Sequence, residues 1–322
     1  MIPTTVLVTG AAGFAGSHLL DLLAGHHTRV VAWRRPGIGA DVQARYPRIE
    51  WHELELLDAQ AVRRQVAALA PAFVYHLAGA PHVGNSWKAT TDTLAINVLA
   101  THHLLEGLRA AGLHSRVLVP SSSYVYRPAE HPLRETDPIQ STNPYALSKI
   151  ATELAAERAA RHDGIPVVVA RSFNHIGPRQ DPSFFASAVA RQIAQIERGR
   201  LAPVIKVGNV DTQRDFTDVR DTVSAYKALV ERGQPGGVYN VCSGRAMVVR
   251  RLLDSLVALA RVPVTVETDP VRFYPGDNPV MICDPVLPGE MFAETSPSPM
   301  ALPGAYWLPS HGTPEEGAVP GF

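Results

Sequence analysis

Tyr145 and Lys149 stand four residues apart in the run Tyr145-Ala-Leu-Ser-Lys149. On a helix, positions i and i+4 share a face, so both side chains would enter one cleft. An ammonium beside a phenol favours the phenolate and draws its pKa down from about 10. A tyrosine tuned in this way can exchange a proton with a sugar or alcohol oxygen near neutral pH. The spacing is frequent by chance and gains its meaning from its company. Ser121-Ser-Ser123 lies 22 to 24 residues upstream, at the end of a strand-like run that starts at Arg116. A hydroxyl at a strand's C-terminal end faces the crevice where open α/β sheets bind ligands. Any of the three serines can supply it.

The elements that must position these groups begin at the N-terminus. Thr5-Val-Leu-Val-Thr9 is a β-branched run of the kind that forms a buried parallel strand. It opens into Gly10-Ala-Ala-Gly13-Phe-Ala-Gly16 and then a helical pattern through Leu19, Leu20, Leu22 and Leu23. Between a first strand and a helix, glycines at this spacing permit a tight turn and bring backbone amides against a pyrophosphate. Arg29–Trp33, Phe73–Leu77 and Arg116–Val119 read as further strands with helical stretches between them. The alternation specifies an α/β fold, a Rossmann doubly wound parallel sheet.

At the end of the second strand, where an acidic residue would hold an NAD ribose, the sequence reads Trp33-Arg34-Arg35. Arginine suits a 2′-phosphate, so NADP(H) is the expected cofactor; the alternative is two solvated arginines on a loop. Glu55 and Asp58 either contact the adenine edge or are exposed carboxylates. His76-Leu77-Ala78-Gly79 ends a strand in small residues, as expected where backbone lies against a cofactor. Asn97 is either a brace for backbone or a surface position.

Lys plus Arg and Asp plus Glu both number 30 in the 322 residues, so no net field recruits nucleic acid or an anionic membrane. Cys242 and Cys283 fit no metal or redox spacing and read as buried structural thiols. The N-terminal residues lack a signal-peptide layout and no apolar run reaches membrane-spanning length, which predicts a soluble, cytoplasmic protein with no metal.

Taken together, Gly10, Gly13, Gly16, the Ser121–Ser123 run, Tyr145 and Lys149 resemble the extended short-chain dehydrogenase/reductases, over roughly residues 4–285. Arg171-Ser-Phe-Asn-His-Ile-Gly-Pro178, the stretch 207–221 and Val238-Tyr-Asn-Val-Cys-Ser-Gly244 resemble the branch holding GDP-mannose 4,6-dehydratases and GDP-4-keto-6-deoxymannose reductases. The phrase at 171–178 looks most like the reductases. The resemblance implies Ser122 as hydroxyl catalyst, Tyr145 as acid–base and Lys149 as its ribose-binding partner. It implies cofactor contacts at Phe14, Ala15, Glu55, Leu56, Leu77, Ala78 and Gly79 beside the glycines and Arg34 and Arg35. Substrate contacts are implied at Ser86, Ser123, Asn174, Arg179, Arg214 and Arg272. Arg214 has a plain alternative as partner of Asp215 or Asp218.

The sequence also departs from that branch. Tyr124 occupies the position where the dehydratases carry a glutamate that takes part in eliminating the C6 hydroxyl. A phenol's ordinary pKa lies about six units higher, so it is a poor substitute for that base. Arg127 replaces a common glycine, and Tyr274 falls where the branch has an arginine, with Arg272 two positions away. The 286–322 stretch holds seven prolines and five glycines with no helical period, which predicts an irregular or disordered tail.

The expected organisation is a cofactor domain over 1–172 plus 211–243, with a smaller substrate domain over 173–210 plus 244–285. Alanine- and leucine-rich helices near 95–111 and 146–162 serve either a homodimer interface or the intramolecular core. The implied activity is NADPH-dependent reduction of the C4 keto group of a GDP-4-keto-6-deoxyhexose. A nucleotide-sugar 4-epimerase or a GDP-mannose 4,6-dehydratase is the enzymatic alternative, and an NADP-binding sensor the non-enzymatic one.

Overall fold

Strands and helices alternate through the first half of the chain, as its runs of apolar residues demand. The computed structural model describes residues 4–24, 28–273 and 278–284. It has strands β1 (Thr5–Thr9), β2 (Arg29–Arg34), β3 (Glu50–Glu53), β4 (Phe73–His76), β5 (Arg116–Ser122) and β6 (Val167–Ser172). Between them run helices α1 (Phe14–Leu23), α2 (Ala40–Arg45), α3 (Ala59–Leu69), α4 (Val83–Ser86), α5 (Thr90–Leu94), α6 (Ala100–Ala110) and α7 (Pro144–His162). A π-helical turn, Ala95–Leu99, joins α5 to α6. The chain continues with β7 (Asn174–Ile176), α8 (Phe185–Glu197), β8 (Val204–Val207), β9 (Gln213–Asp218), α9 (Val219–Arg232) and β10 (Val238–Val241). Last come β11 (Ala246–Val248), α10 (Val249–Val257), β12 (Thr265–Thr268) and β13 (Val280–Met281).

Seven strands pair in parallel in the order β10-β6-β5-β4-β1-β2-β3. This is the Rossmann-like α/β sheet expected from the sequence. The order reverses between β1 and β4, which opens a crevice at the strands' C-terminal ends. One face is covered by α1 and α9 through Leu19, Leu20, Val223 and Leu229. The other is covered by α3, α6 and α7 through Val62, Val66, Leu104, Leu108 and Ala156. Helix α7, which carries Tyr145 and Lys149, starts cleanly because Asn143 accepts from the Ala146 amide and Pro144 occupies its first position.

A second layer holds β7, β9, β11 and β13 in one sheet and β8 with β12 in another, around Val189, Ile193, Ile205, Leu252 and Leu253. Within 211–243, helix α9 packs on the large sheet and β10 joins it, while β9 pairs with β7, β11 and β13. A buried run such as β9 reads alike in either sheet, so its partners decide.

The reading of Cys242 and Cys283 as buried structural thiols is corrected: the two sulfurs form a disulfide. Residues 280–283 run back beside β9 and Leu133, which brings Cys283 to the end of β10. Tyr274 and the 286–322 stretch lie outside the described residues. Among the described residues no helix is long and apolar enough to cross a membrane.

Candidate active site

A cleft of about 490 Å³ opens at the crevice where β1, β4 and β5 end. Tyr145 and Lys149 line it together, as their spacing required. The three serines are separated by their partners. Ser121 turns away and donates to the Glu153 carboxylate, while Ser123 donates to Met281 Sδ at 2.8 Å. Ser122 faces the cleft, hydrogen-bonds the Tyr145 phenol and accepts from the Tyr124 amide at 3.3 Å. Lys149 Nζ donates to the Pro120 carbonyl at 2.9 Å and sits 5.9 Å from the Tyr145 ring centroid.

The charges do not follow the simple expectation for a phenol beside an ammonium. Burial pushes the Tyr145 phenol up to about 12, against the opposing hydrogen bond from Ser122. Burial also brings the Lys149 ammonium down to about 8, partly offset by Glu153. For both groups desolvation is the largest influence.

Under the cleft floor lies a hydrogen-bonded chain whose direction is fixed at every link. The Ala78 amide donates to Thr9 Oγ1 (3.3 Å), which donates to His76 Nδ1 (2.9 Å). His76 Nε2 donates to Thr101 Oγ1 (3.1 Å), which donates to the Asn97 carbonyl (2.7 Å). The Asn97 side chain accepts from the Ala80 amide at 2.7 Å and donates to Ser148 at 2.9 Å. Asn97 is therefore a brace for the 78–80 backbone and not a surface position.

The glycine-rich loop fits a dinucleotide pyrophosphate. Gly10 is left-handed at φ +63°, and a Cβ there would lie 2.5 Å from the Ala78 amide nitrogen. A Cβ on Gly16 would fall 2.2 Å from the Gly10 carbonyl oxygen. Only glycine lets the loop fold this tightly against β4. No side chain caps α1, whose first residues Phe14 and Ala15 line the cleft with Gly13, Leu77, Ala78 and Gly79. Uncapped amides at a helix N-terminus suit an anionic group.

The two arginines at the end of β2 divide. Arg34 is 11% exposed and spent on Gln43, the Ile38 carbonyl and Glu53. Arg35 is 65% exposed and only 3.9 Å from Glu55, leaving its guanidinium accessible. Asp58 caps α3 through the Ala61 amide, and the Leu56 carbonyl accepts from His103 at 2.9 Å.

The substrate positions divide likewise. Asn174 lines the cleft, and its Oδ1 is buried without a partner. Gln180, which sequence reasoning missed, also lines it: its Nε2 donates to the His175 carbonyl at 2.9 Å and its Oε1 is buried and unpartnered. Ser123 and Tyr124 are in the wall, Tyr124 meeting Tyr145 edge-on at 6.3 Å. Four others lie elsewhere. Ser86 is fully buried, donates to the Val83 carbonyl and accepts from the Tyr145 amide. Arg179, left-handed at φ +71°, pairs outside the cleft with Asp21 at 2.5 Å. Arg214 is buried in β9 and donates to the Gln213 carbonyl. Arg272 pairs with Asp269 at 3.2 Å on the surface.

Residues 6–242 match the NAD dependent epimerase/dehydratase family. The chain belongs to that family. It is an NAD(P)-dependent enzyme of the family. It is 38% identical over 270 residues to a GDP-6-deoxy-D-mannose reductase of Pseudomonas aeruginosa, covering 83% of this chain and 84% of that one. A solved structure of RMD from Pseudomonas aeruginosa complexed with NADPH superposes with a TM-score of 0.75 at 34% identity, over 90% and 91% of the two chains. A GDP-mannose 4,6-dehydratase of Sordaria araneosa is 28% identical over 259 residues, 79% of this chain and 47% of that one.

Proposed function

We propose that this family member is an NADPH-dependent reductase of a GDP-4-keto-6-deoxyhexose, yielding a GDP-6-deoxy-D-mannose or rhamnose-type product. The observation that carries the reading is the Ser122–Tyr145–Lys149 cluster in a cleft whose neighbouring position holds Tyr124 instead of a carboxylate. Reduction of a ketone needs a hydride at carbon and a proton at oxygen. NADPH, when bound, supplies the hydride. Tyr145 supplies the proton to O4, and a phenol raised to about 12 is in the protonated form that donation needs. Ser122 donates a hydrogen bond to the same oxygen and so steadies the charge that develops there. Lys149 holds a positive charge beside the phenol as its proton leaves.

Arg35 supports the choice of NADPH, because an exposed guanidinium with one long ion pair, to Glu55, suits a 2′-phosphate. Asn174 and Gln180 offer acceptors to sugar hydroxyls. Tyr124 argues against elimination at C6 and hence against a complete dehydratase. The kinship with the Pseudomonas aeruginosa reductase supports a GDP-linked substrate. Leu99, at the end of the π-helical turn, and Leu147 and Leu154 along α7 are exposed apolar side chains, which suits a homodimer.

The test is NADPH consumption, with NADH in parallel, on GDP-4-keto-6-deoxymannose generated in situ by a separate dehydratase. NADPH oxidation that is abolished by Tyr145→Phe is expected, with product NMR fixing the configuration at C4. NADPH binding without any turnover would reject the reductase.

A further inference from the structure

Three consecutive residues of β5 grip three successive turns of α7. The Ser122 hydroxyl meets Tyr145, the Pro120 carbonyl accepts from Lys149 Nζ at 2.9 Å, and the Ser121 hydroxyl donates to Glu153. Tyr145, Lys149 and Glu153 are four residues apart in turn, so they form one stripe down the helix. Glu153 is buried, as is its partner Arg171 on β6. The guanidinium donates to both carboxylate oxygens, Nε to Oε1 at 3.0 Å and Nη2 to Oε2 at 2.7 Å. Arg171 is held in turn by the Glu135 carbonyl at 3.1 Å and by the face of Tyr126 at 4.8 Å. Three hydrogen-bond donors, one from Ser121 and two from Arg171, converge on this one buried carboxylate.

We propose that Glu153 is a positioning residue for the reaction: it locks α7 onto β5 and supplies the buried negative charge that keeps the Lys149 ammonium charged. The first half follows from geometry. A carboxylate bonded to β5 and β6 at once allows no slip of the helix, and a slip would carry Tyr145 and Lys149 away from Ser122. The second half follows from the surroundings of Lys149. On its own helix it faces Tyr145 and Glu153. From β4 it faces His76, which burial keeps neutral. Tyr124 stands beyond Tyr145, and Arg171 lies behind Glu153. Glu153 is the anion in this set. A desolvated ammonium lacking a nearby anion gives up its proton more readily.

Only the catalytic consequence rests on the proposed reductase activity, and the decisive measurement needs no turnover. The chain has four lysines, Lys88, Lys149, Lys206 and Lys227, so protein grown on 13C-labelled lysine gives few ε-carbon signals to follow through a pH titration. Absence of its signal in Lys149→Arg assigns Lys149. Its midpoint in the native sequence is expected at about 8. Glu153→Gln keeps size and an acceptor but removes the charge, and should lower the midpoint by about one pH unit or more. Glu153→Asp keeps the charge and should move it less than half as far. Should unpaired Arg171 unfold the Gln variant, Glu153→Gln combined with Arg171→Met restores a neutral pair and is read in the same way. In turnover, the alkaline limb of the rate profile should move down in pH with the Gln variant. An unchanged midpoint in Glu153→Gln, or equal shifts in the Gln and Asp variants, would overturn the assignment. An inactive native protein with the expected lysine titration would overturn the reductase reading and leave this one standing.

Discussion

The Tyr145 backbone amide donates to Ser86 Oγ at 3.2 Å, while the Ser86 hydroxyl donates to the Val83 carbonyl at 2.7 Å. One buried serine thus ties α4 to the first turn of α7, at the residue proposed to move the proton. The amides of a helix's first turn have no partner within the helix, and here a side chain 59 positions away supplies one. Ser86→Ala is expected to cost about 1–2 kcal/mol of stability. It should also lower kcat several-fold by loosening Tyr145, with KM for the sugar nearly unchanged. Thermal melting with steady-state kinetics checks this. A raised KM with unaltered kcat and melting would return Ser86 to the sugar side, where the family resemblance places it.

Arg34 and Arg35 are adjacent yet have different work. Arg35→Ala should weaken NADPH binding by about 10- to 100-fold, the scale of a lost charge-assisted hydrogen bond, and leave NADH binding as it was. Arg34→Ala should act mainly on stability, since its guanidinium holds Gln43, the Ile38 carbonyl and Glu53. Titration of each variant with both dinucleotides separates the two. Equal losses for NADPH and NADH in Arg35→Ala would remove the 2′-phosphate from the argument.

What the sequence made legible, and what it did not, follows the range of the interactions. Thr5-Val-Leu-Val-Thr9 with its glycine loop, and Tyr145 with Lys149, are local patterns, and both stand where those patterns put them. The choice among Ser121, Ser122 and Ser123 was not local. It is made by Glu153, Tyr145 and Met281, the first 32 and the last 158 positions from their serines. Arg179 shows a second limit. Its left-handed backbone turns its side chain outward to Asp21, while the next residue, Gln180, faces the cleft. The phenol of Tyr145 shows a third: the spacing alone points to a lowered pKa, but burial, a property of the whole fold, reverses its direction.

Asn174 Oδ1 and Gln180 Oε1 are buried acceptors without donors, an arrangement that costs stability unless a ligand completes it. The Gln180 orientation is set, because reversing its amide would oppose two carbonyl oxygens at His175. Gln180→Leu removes the lone acceptor at nearly constant size. It is expected to raise the sugar-nucleotide KM about tenfold and to leave the melting temperature equal or higher. If KM holds steady while stability drops, the Gln180 amide serves only to tie down the His175 backbone.

His76 gives the fold a defined acid sensitivity. Both ring nitrogens are engaged, Nδ1 as acceptor from Thr9 and Nε2 as donor to Thr101, so an added proton has no place in the folded state. Burial, helped by the nearby Lys149 ammonium, pushes the imidazole down from 6.5 to about 3. The unfolded chain takes up this proton near pH 6.5 and the folded chain only near pH 3. Between those values the unfolded state binds more protons, so stability rises with pH and is lost as pH falls. The full contribution is present above pH 6.5, and this one group removes up to about 1.4 kcal/mol per pH unit below it. His76→Asn should be less stable at pH 7, yet its stability should fall more gently from pH 6.5 to 5, by about one proton's worth of slope. Urea unfolding at a series of pH values reads that slope directly. Parallel slopes in the two proteins would mean that His76 takes up its proton in the folded state, with Thr9 or Thr101 turning to accommodate it.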